Sequence, residues 1–359
     1  MKRKITRMCS AILLMAAGGA ITHYLPLLTQ AAAQICMAET VAETAPELFL
    51  SNGFGDQYVA EELPENGELE ETSPYIEADI SPGPKPYPTE WDLSGGVVER
   101  MSYGRYSGTQ YFDLAEYGQV RNETSLSNSE LYEESQKAPA FTIREISAPQ
   151  VLIMHTHTTE CFEPYERDAY DSSFNYRTTD RSQNICAVGE MIAEQLEAAG
   201  IGVIHDTTIH DYPSYTGSYE RSRSTVKSLL KAHPSIKVVL DIHRDAIGGD
   251  GVIQQPTVRI DGKKAAQIMI ISGCDDGTMD MPDYLDNFHF ASLLEQQLEG
   301  DYPGLTRPIL FDYRKYNQDL TTGSLLIEVG THGNTLEQVE YSGELIGKSL
   351  ARALLTLKE

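Results

Sequence analysis

Apolar runs and helical periods alternate along the chain from about residue 149 to its last residue. Five apolar runs predict strands: VLIMH, IGVIHD, KVVLDIHRD, AAQIMIISG and SLLIEVG. The runs are nearly continuous, as expected for strands that are covered on both faces of a parallel sheet. Around them, apolar residues recur with a helical period, for example at Ile185, Val188 and Ile192. This alternation predicts an α/β fold, with a mostly parallel sheet flanked by helices on both faces.

The segments before this region have a different composition. Residues 36–94 are rich in Glu, Pro, Gly and Ser, so we expect a disordered acidic spacer that buries little surface. In residues 95–147, the patterns GVVERMSY and TQYFDL predict short strands, and NETSLSNSELYEESQ predicts a capped helix. This strand-rich lead-in segment precedes the alternating domain at 148–359.

The first 35 residues have the features of an export segment. A basic stretch, MKRKITR, is followed by a region without Asp, Glu, Lys or Arg between Arg7 and Glu39. A signal anchor needs about 20 mostly apolar residues, which Ile12 to Ala33 supplies, whereas TQAAAQ resembles the cleavage site of a signal peptide. We expect a single membrane anchor with the rest of the chain outside the cytoplasm; cleavage would instead release a secreted protein.

Composition excludes some classes of function. The chain has 53 acidic and 28 basic residues, a net charge of −25, which argues against nucleic-acid binding and against a phosphatase or nuclease acting on a polyanion. Its five cysteines form no C-x-x-C pair, so a disulfide scaffold is not indicated.

Polar side chains cluster where three of the predicted strands end. His155, His157 and Glu160 follow the first strand, His243 lies at the end of the third, and Glu328 at the end of the fifth. The carboxyl ends of parallel strands meet at one edge of a sheet, where ligands bind. Two imidazoles and a carboxylate around an open position are typical of catalytic zinc, and a further Glu can take a proton from water. The pattern therefore predicts a zinc site.

Other interpretations of these residues remain open from the sequence. In one interpretation, Asp241 and His243 form a pair that binds no metal. In another, Glu328 forms a buried ion pair with Arg244. Cys161 is a candidate nucleophile if His157 acts as its base. A serine hydrolase is disfavoured because the chain has no G-x-S-x-G motif.

Several motifs together resemble the stage II sporulation protein P family. They are HTHTTE, DIHRDA, YNQDL and LLIEVGTHGNTLEQ, with VGEMIAEQLEAAGIGVIHD between the first two, and the resemblance covers roughly residues 95–359. It implies a fold similar to zinc-dependent N-acetylmuramoyl-L-alanine amidases over 148–359, and cleavage of the muramoyl-L-alanine amide of peptidoglycan, with cutting of peptide cross-links. It also implies partnership with stage II sporulation proteins D and M during engulfment of the forespore.

The resemblance also implies roles for individual residues. His243 matches one zinc ligand, and Glu328, with Asn334 at the family's spacing, matches the catalytic Glu. The first ligand is His157 or His155, and the pattern favours His157. His155 is then beside it or at the substrate, and Asn334 is a candidate for the same two roles.

The third ligand departs from the amidase pattern, which places a Glu where this chain has Ser182, Gln183 and Asn184. Glu160 is the better candidate for this ligand and Asp180 the alternative. The missing Glu also leaves open a non-catalytic cell-wall binding protein that retains the fold.

Two further residues are candidates for contacts with substrate. Arg244 is suited to stabilising an oxyanion or binding a carboxylate, although a structural salt bridge with Asp241 or Asp245 explains it equally well. Asn317, in the YNQ motif, offers an amide suited to a sugar-peptide chain.

Overall fold

The computed structural model describes residues 87–144 and 148–358. The predicted membrane segment at 1–35 and most of the predicted spacer lie outside the described residues. Within the described part of the chain, no helix combines the length and the apolar character needed to cross a bilayer.

The described residues form a mixed α/β fold. In chain order the strands are β1 (Gly96–Met101), β2 (Tyr111–Asp113), β3 (Gln119–Asn122), β4 (Pro149–Met154), β5 (Ala169–Tyr170), β6 (Gly202–His205), β7 (Val238–Asp245), β8 (Gly248–Gly249), β9 (Val252–Ile260), β10 (Lys263–Ala266), β11 (Ile268–Gly273), β12 (Ile309–Asp312) and β13 (Gly323–Thr331). The helices are α1 (Asn128–Glu134), α2 (Ile185–Ala198), α3 (Ser218–Ala232), α4 (Tyr284–Asp301) and α5 (Leu336–Thr356), with a 3-10 helix at Gln318–Leu320.

Eight strands form the main sheet, in the order β2-β3-β12-β11-β13-β7-β4-β6. Five neighbouring pairs are parallel and two are antiparallel, so the sheet is mixed. The prediction of a mostly parallel sheet is confirmed in part, because β11 is parallel to β12 but runs antiparallel to β13. A parallel connection needs a long crossover, usually a helix, whereas the chain enters β11 directly from the antiparallel pair β9 and β10.

A second sheet has the order β10-β9-β1-β5, with β8 also paired to β9. Its strand β1 comes from the lead-in segment and pairs parallel with β9. Another lead-in strand, β3, pairs with β12 in the main sheet. Both strands are therefore joined by hydrogen bonds to strands of the region 148–359.

Helices cover both faces of the main sheet, as the continuous apolar runs predict. On one face, Leu240 and Ile242 of β7 share a core with α2, α4 and α5. On the other face, Val239 packs in a smaller core with Val226 of α3. Because side chains alternate along a strand, Asp241 and His243 lie on the α3 face of β7.

Glu295, in α4, provides a test of this packing that is independent of function. Its side chain is buried, and its Oε1 accepts a hydrogen bond from Thr306 Oγ1 at 2.7 Å. Burial, with a further contribution from the charge of Glu299, raises the pKa of Glu295 well above its usual range. In the unfolded chain this carboxyl ionises above a pKa of about 4.3, whereas in the folded protein it stays protonated up to its raised pKa. The free energy of unfolding therefore decreases as pH rises from about 4.3 towards the folded-state pKa.

We expect Glu295→Gln to raise the melting temperature at about pH 8, by an amount on the order of a few degrees. Near pH 4 the two proteins should unfold at similar temperatures, because the unfolded carboxyl is then largely protonated. Thermal unfolding across this pH range measures the difference, and the exposed Glu194→Gln is the matched control. If the melting temperature of the wild type instead rose relative to that of the variant as pH increases, this result would contradict the effect of burial on Glu295.

Candidate metal centre at the strand ends

The candidate site lies where three adjacent strands deliver polar residues. Strands β4, β7 and β13 are neighbours and run parallel, so their carboxyl ends meet at one edge. Met154 at the end of β4 pairs with Asp241, and His243 pairs directly with Glu328. His243 and Glu328 are thus positioned by regular sheet pairing, inside their strands rather than after them.

His157, Glu160 and His243 converge in this region. One ligand atom from each lies within 4.8 Å of the other two, and all three side chains are buried. Nδ1 of His157 lies 3.8 Å from Oε1 of Glu160, and Nδ1 of His243 lies 3.7 Å from Oε2. Two donors at about 2.0–2.1 Å from a tetrahedral ion lie about 3.3 Å apart. A small inward movement would therefore bring these atoms to zinc-binding distances.

The loop after β4 is held in place by main-chain and side-chain hydrogen bonds. The Glu160 amide donates to the His157 carbonyl at 3.1 Å, closing a turn, and the Ile185 amide donates to the Glu160 carbonyl at 2.8 Å. The buried carboxylate of Asp211 accepts hydrogen bonds from the amide and hydroxyl of Thr159. These contacts turn the Glu160 side chain back towards the end of β7.

The polar atoms of this group fit a bound cation. Oε2 of Glu160 accepts a hydrogen bond from the Arg244 amide at 3.0 Å. Oε1 of Glu160 and Nδ1 of His243 are buried and have no hydrogen-bond partner among the described residues. An unsatisfied buried polar group costs about 1–3 kcal/mol, which a metal ion bound by these atoms would offset.

Asp241 holds the ring of the candidate ligand His243 in position. Its Oδ1 lies 2.8 Å from Nε2 of His243, on the far side of the ring from Glu160. Both carboxylate oxygens of Asp241 also accept hydrogen bonds from Thr156. A carboxylate at the second nitrogen of a histidine is the usual way to orient a metal ligand.

The charges around the site favour a cation. Burial lowers the pKa of His157 well below its usual range, and the charge of His243 adds to this effect. Burial also lowers the pKa of His243, but the carboxylates of Asp241 and Glu160 more than offset this and raise it to about 9. Metal binding would replace the proton that these carboxylates hold on His243.

We expect Asp241→Asn to weaken zinc binding by roughly 10–100-fold, because the amide loses the charge that orients and polarises His243. Competition with a chromophoric zinc chelator measures this change, with the exposed Asp250→Asn as the control. Equal zinc affinities of the Asp241 variant and the wild type would show that the carboxylate does not act on the ligand.

His155 lies apart from the metal group, on the opposite face of the sheet. Its Nδ1 is 2.9 Å from the Ile242 carbonyl, and its Nε2 is 2.9 Å from Nε2 of His205, which in turn contacts Glu190. Gly189 of α2 makes room for this ring, because a Cβ there would come within 2.8 Å of His155 Nε2. Asp180, the alternative third ligand, instead caps a turn by accepting hydrogen bonds from Ser182.

Glu328 projects from β13 on the same face as His243. The side chain is buried, and its Oε2 has no hydrogen-bond partner among the described residues. Burial, followed by the charge of Asp245, raises the pKa of Glu328 above the usual range of a carboxylic acid. A cation held beside it would favour the ionised form again. Glu328 is therefore a candidate proton acceptor on the strand that pairs with His243.

Asn334 holds the irregular end of β13. A bulge between Glu328 and Thr331 contains Gly330, whose φ of +64° favours glycine. Oδ1 of Asn334 accepts a hydrogen bond from the Thr331 amide at 2.9 Å, and its side-chain amide donates to the Pro256 carbonyl. Its contacts in this structure are therefore those of a residue that positions the strand end.

Arg244 and Asn317 also make internal contacts. The Arg244 guanidinium donates to the carbonyls of Cys161 and Tyr176, and the ion pair with Asp241 or Asp245 is not found among the described residues. Alternation along β7 places its side chain on the opposite face from His243. The Asn317 amide donates to the Tyr219 carbonyl and to Ser222 Oγ, linking its loop to α3.

Cys161 does not have the environment of a nucleophile. Its side chain is buried, and burial raises the pKa of the thiol to about 12. A thiol of this kind is not a thiolate at neutral pH.

An aromatic side chain packs against one of the candidate ligands. The ring of Tyr215 stacks on His157, with centroids 4.6 Å apart and an angle of 24°. Arg177 lies 5.0 Å above the same tyrosine ring and also pairs with Asp211. Nothing in the spacing of the tyrosines between residues 212 and 219 indicates which of them reaches the histidine.

Comparison with known proteins gives a family and several similar chains. The family described as stage II sporulation protein P matches residues 106–351. Stage II sporulation protein P of Bacillus subtilis (strain 168) is 31% identical over 201 residues, covering 53% of this chain and 47% of the relative. The chain therefore spans about half the length of this curated relative.

Similar solved structures include two amidases. The N-acetylmuramoyl-L-alanine amidase AmiC2 of Nostoc punctiforme has a TM-score of 0.34 at 11% identity, covering 58% of this chain and 97% of that one. The CwlD amidase of Clostridioides difficile, solved in complex with the GerS lipoprotein, has a TM-score of 0.34 at 13% identity, covering 58% of this chain and 98% of that one.

Proposed function

Because the chain belongs to the stage II sporulation protein P family, we propose that it is an exported zinc hydrolase that cleaves the muramoyl-L-alanine amide of peptidoglycan. The observation that carries this proposal is the buried group of His157, Glu160 and His243, with Glu328 beside it on the neighbouring strand. The substrate class comes from the sequence resemblance described above, and peptide cross-links are a second proposed substrate.

His157, Glu160 and His243 would hold the metal. Two imidazoles and one carboxylate are a donor set that suits zinc, whereas calcium and magnesium prefer oxygen ligands. Zinc bound by these residues would polarise the scissile carbonyl and lower the pKa of a water molecule towards neutrality.

Glu328 would move the proton. In its ionised form it accepts a proton from the attacking water at a carboxylate oxygen, and it then donates that proton to the nitrogen of the leaving amine. Burial keeps bulk water away from this carboxylate, so the proton stays in the site between the two steps. Asp241 contributes by holding His243, and Asn334 by holding the end of β13.

We further propose where the protein acts and with what. The basic N-terminus and the apolar segment after it would keep the chain on the outer side of the membrane as a single anchor, or release it if cleaved. The proposed partners are stage II sporulation proteins D and M, during engulfment. The net charge of −25 supports a role that involves no nucleic acid.

Metal removal and restoration tests this proposal. The purified full chain, incubated with isolated sacculi, should release peptides that carry a new amino-terminal alanine. Treatment with a chelator should stop the release, and zinc should restore it whereas calcium should not. Release that continues in the metal-free protein would contradict a zinc hydrolase. A zinc-loaded protein that binds sacculi and releases nothing would instead support the cell-wall binding role.

A further inference from the structure

Tyr219 contacts the candidate metal ligand His157 from the first turn of α3. The two ring centroids lie 5.6 Å apart with an interplanar angle of 77°, an edge-on arrangement. Tyr219 also contacts Tyr316, whose ring stacks on it at 5.4 Å and 24°. The phenol ring therefore contacts both the metal group and the loop that precedes β13.

Hydrogen bonds fix the main chain that carries this ring. The Tyr219 carbonyl accepts from the Asn317 amide and from Ser222 Oγ, each at 3.1 Å. Ser222 in turn accepts from the Thr156 hydroxyl, which also binds Asp241. The backbone of Tyr219 is thus connected to the carboxylate that orients His243, and this leaves the ring little freedom.

The hydroxyl group is the unusual part of this side chain. The Tyr219 hydroxyl oxygen is buried and has no hydrogen-bond partner among the described residues. By contrast, the hydroxyl of its neighbour Tyr316 accepts a hydrogen bond from Arg314 at 3.0 Å. Buried tyrosine hydroxyls usually have a partner. Within the part of the chain that the structure describes, the hydroxyl of Tyr219 lacks a hydrogen-bond partner close to a candidate catalytic centre, and a bound substrate would supply one.

The phenol hydroxyl is a hydrogen-bond donor at neutral pH, because a tyrosine has an ordinary pKa of about 10. The ring that carries it contacts the candidate metal ligand His157. Its main chain is joined through Ser222 and Thr156 to Asp241. The hydroxyl is therefore available to donate a hydrogen bond to a molecule bound at the candidate site.

We propose that Tyr219 is a catalytic residue whose hydroxyl donates a hydrogen bond to the carbonyl oxygen of the scissile amide. This inference rests on the proposed function. As the carbonyl carbon becomes tetrahedral, negative charge develops on that oxygen, and a fixed donor stabilises it more strongly than it stabilises the planar amide. The ring stack on Tyr316 holds the donor in place before substrate arrives.

The test replaces only the hydroxyl. We expect Tyr219→Phe to lower kcat by about 100-fold, the effect typical of losing one such donor, while KM and zinc content stay within a few-fold of the wild type. The exposed Tyr212→Phe is the control and should keep wild-type kinetics. Because the phenylalanine ring keeps the contacts with His157 and Tyr316, a purely structural role of the ring would leave kcat close to the wild-type value.

A binding measurement supplies a second readout. A phosphinate that replaces the scissile amide by a tetrahedral group should bind Tyr219→Phe more weakly than the wild type by a factor similar to the loss in kcat/KM. An active wild type with an equally active Tyr219→Phe would overturn this inference and leave the proposed function standing. A zinc-loaded wild type that is as inactive as Glu328→Gln would overturn both.

Discussion

Glu328→Gln is expected to reduce the release of stem peptides by roughly 10²–10⁴-fold, the range found when a general acid–base group is lost. Glutamine has nearly the same shape as glutamate, but it can neither accept the proton of the attacking water nor deliver it to the leaving amine. The side chain is buried, and its position on β13 pairs directly with His243 on β7.

Zinc content separates this effect from damage to the site. Because Glu328 is not one of the three converging residues, the variant should retain zinc at the wild-type ratio. The exposed Glu337→Gln, from the start of α5, is the control and should be fully active. A Glu328 variant that hydrolyses sacculi at the wild-type rate would remove this residue from the mechanism.

The second large effect distinguishes the two histidines of the HTH motif. His157→Ala should lose zinc. Its affinity for zinc should decrease by more than the roughly 10–100-fold expected when the replaced residue only holds a metal ligand in place, as Asp241 does. His155→Ala should keep most of its zinc, because His155 lies on the other face of the sheet and contacts Ile242 and His205.

Metal analysis after dialysis against a buffered zinc solution measures this difference. His155 is fully buried with two polar contacts, so its replacement should lower the melting temperature even though zinc remains. A His155 variant without zinc and a His157 variant with zinc would show that the assignment is reversed.

Much of the fold follows from local sequence pattern. The strands β4, β7 and β13 each contain an apolar run and are buried along almost their whole length, as expected for strands that are covered on both faces. The direction of β11 could not be predicted in this way. An apolar run has the same composition in either direction, and its orientation depends on β9 and β10, which replace a crossover helix.

The candidate site could be predicted as a cluster but not in every residue. His243 and Glu328 come together because their strands pair in parallel register. The choice between His155 and His157 depends on where β4 ends and the turn begins, which a repeated imidazole does not indicate. The carboxylate of Glu160 is turned inward by contacts from Arg244 and Ile185, which are distant in sequence.

Positioning residues were the hardest to predict. Arg244 looked suited to an oxyanion, but its guanidinium binds main-chain carbonyls. Asn317 and Asn334 were candidates for contacts with substrate, and the contacts seen in the structure are internal: Asn317 links its loop to α3, and Asn334 holds the end of β13. Tyr219 lies in the first turn of α3, and only its packing against His157 distinguishes it from other tyrosines of the chain. Such roles depend on contacts between distant segments that leave no periodic signal.

Mass spectrometry of the products from sacculi tests the central claim most directly. The zinc-loaded full chain should produce stem peptides with a free amino-terminal L-alanine, together with glycan strands whose muramic acid has lost its peptide. Stem peptides that stay attached to muramic acid after incubation with the zinc-loaded protein would contradict an amidase built on His157, Glu160 and His243.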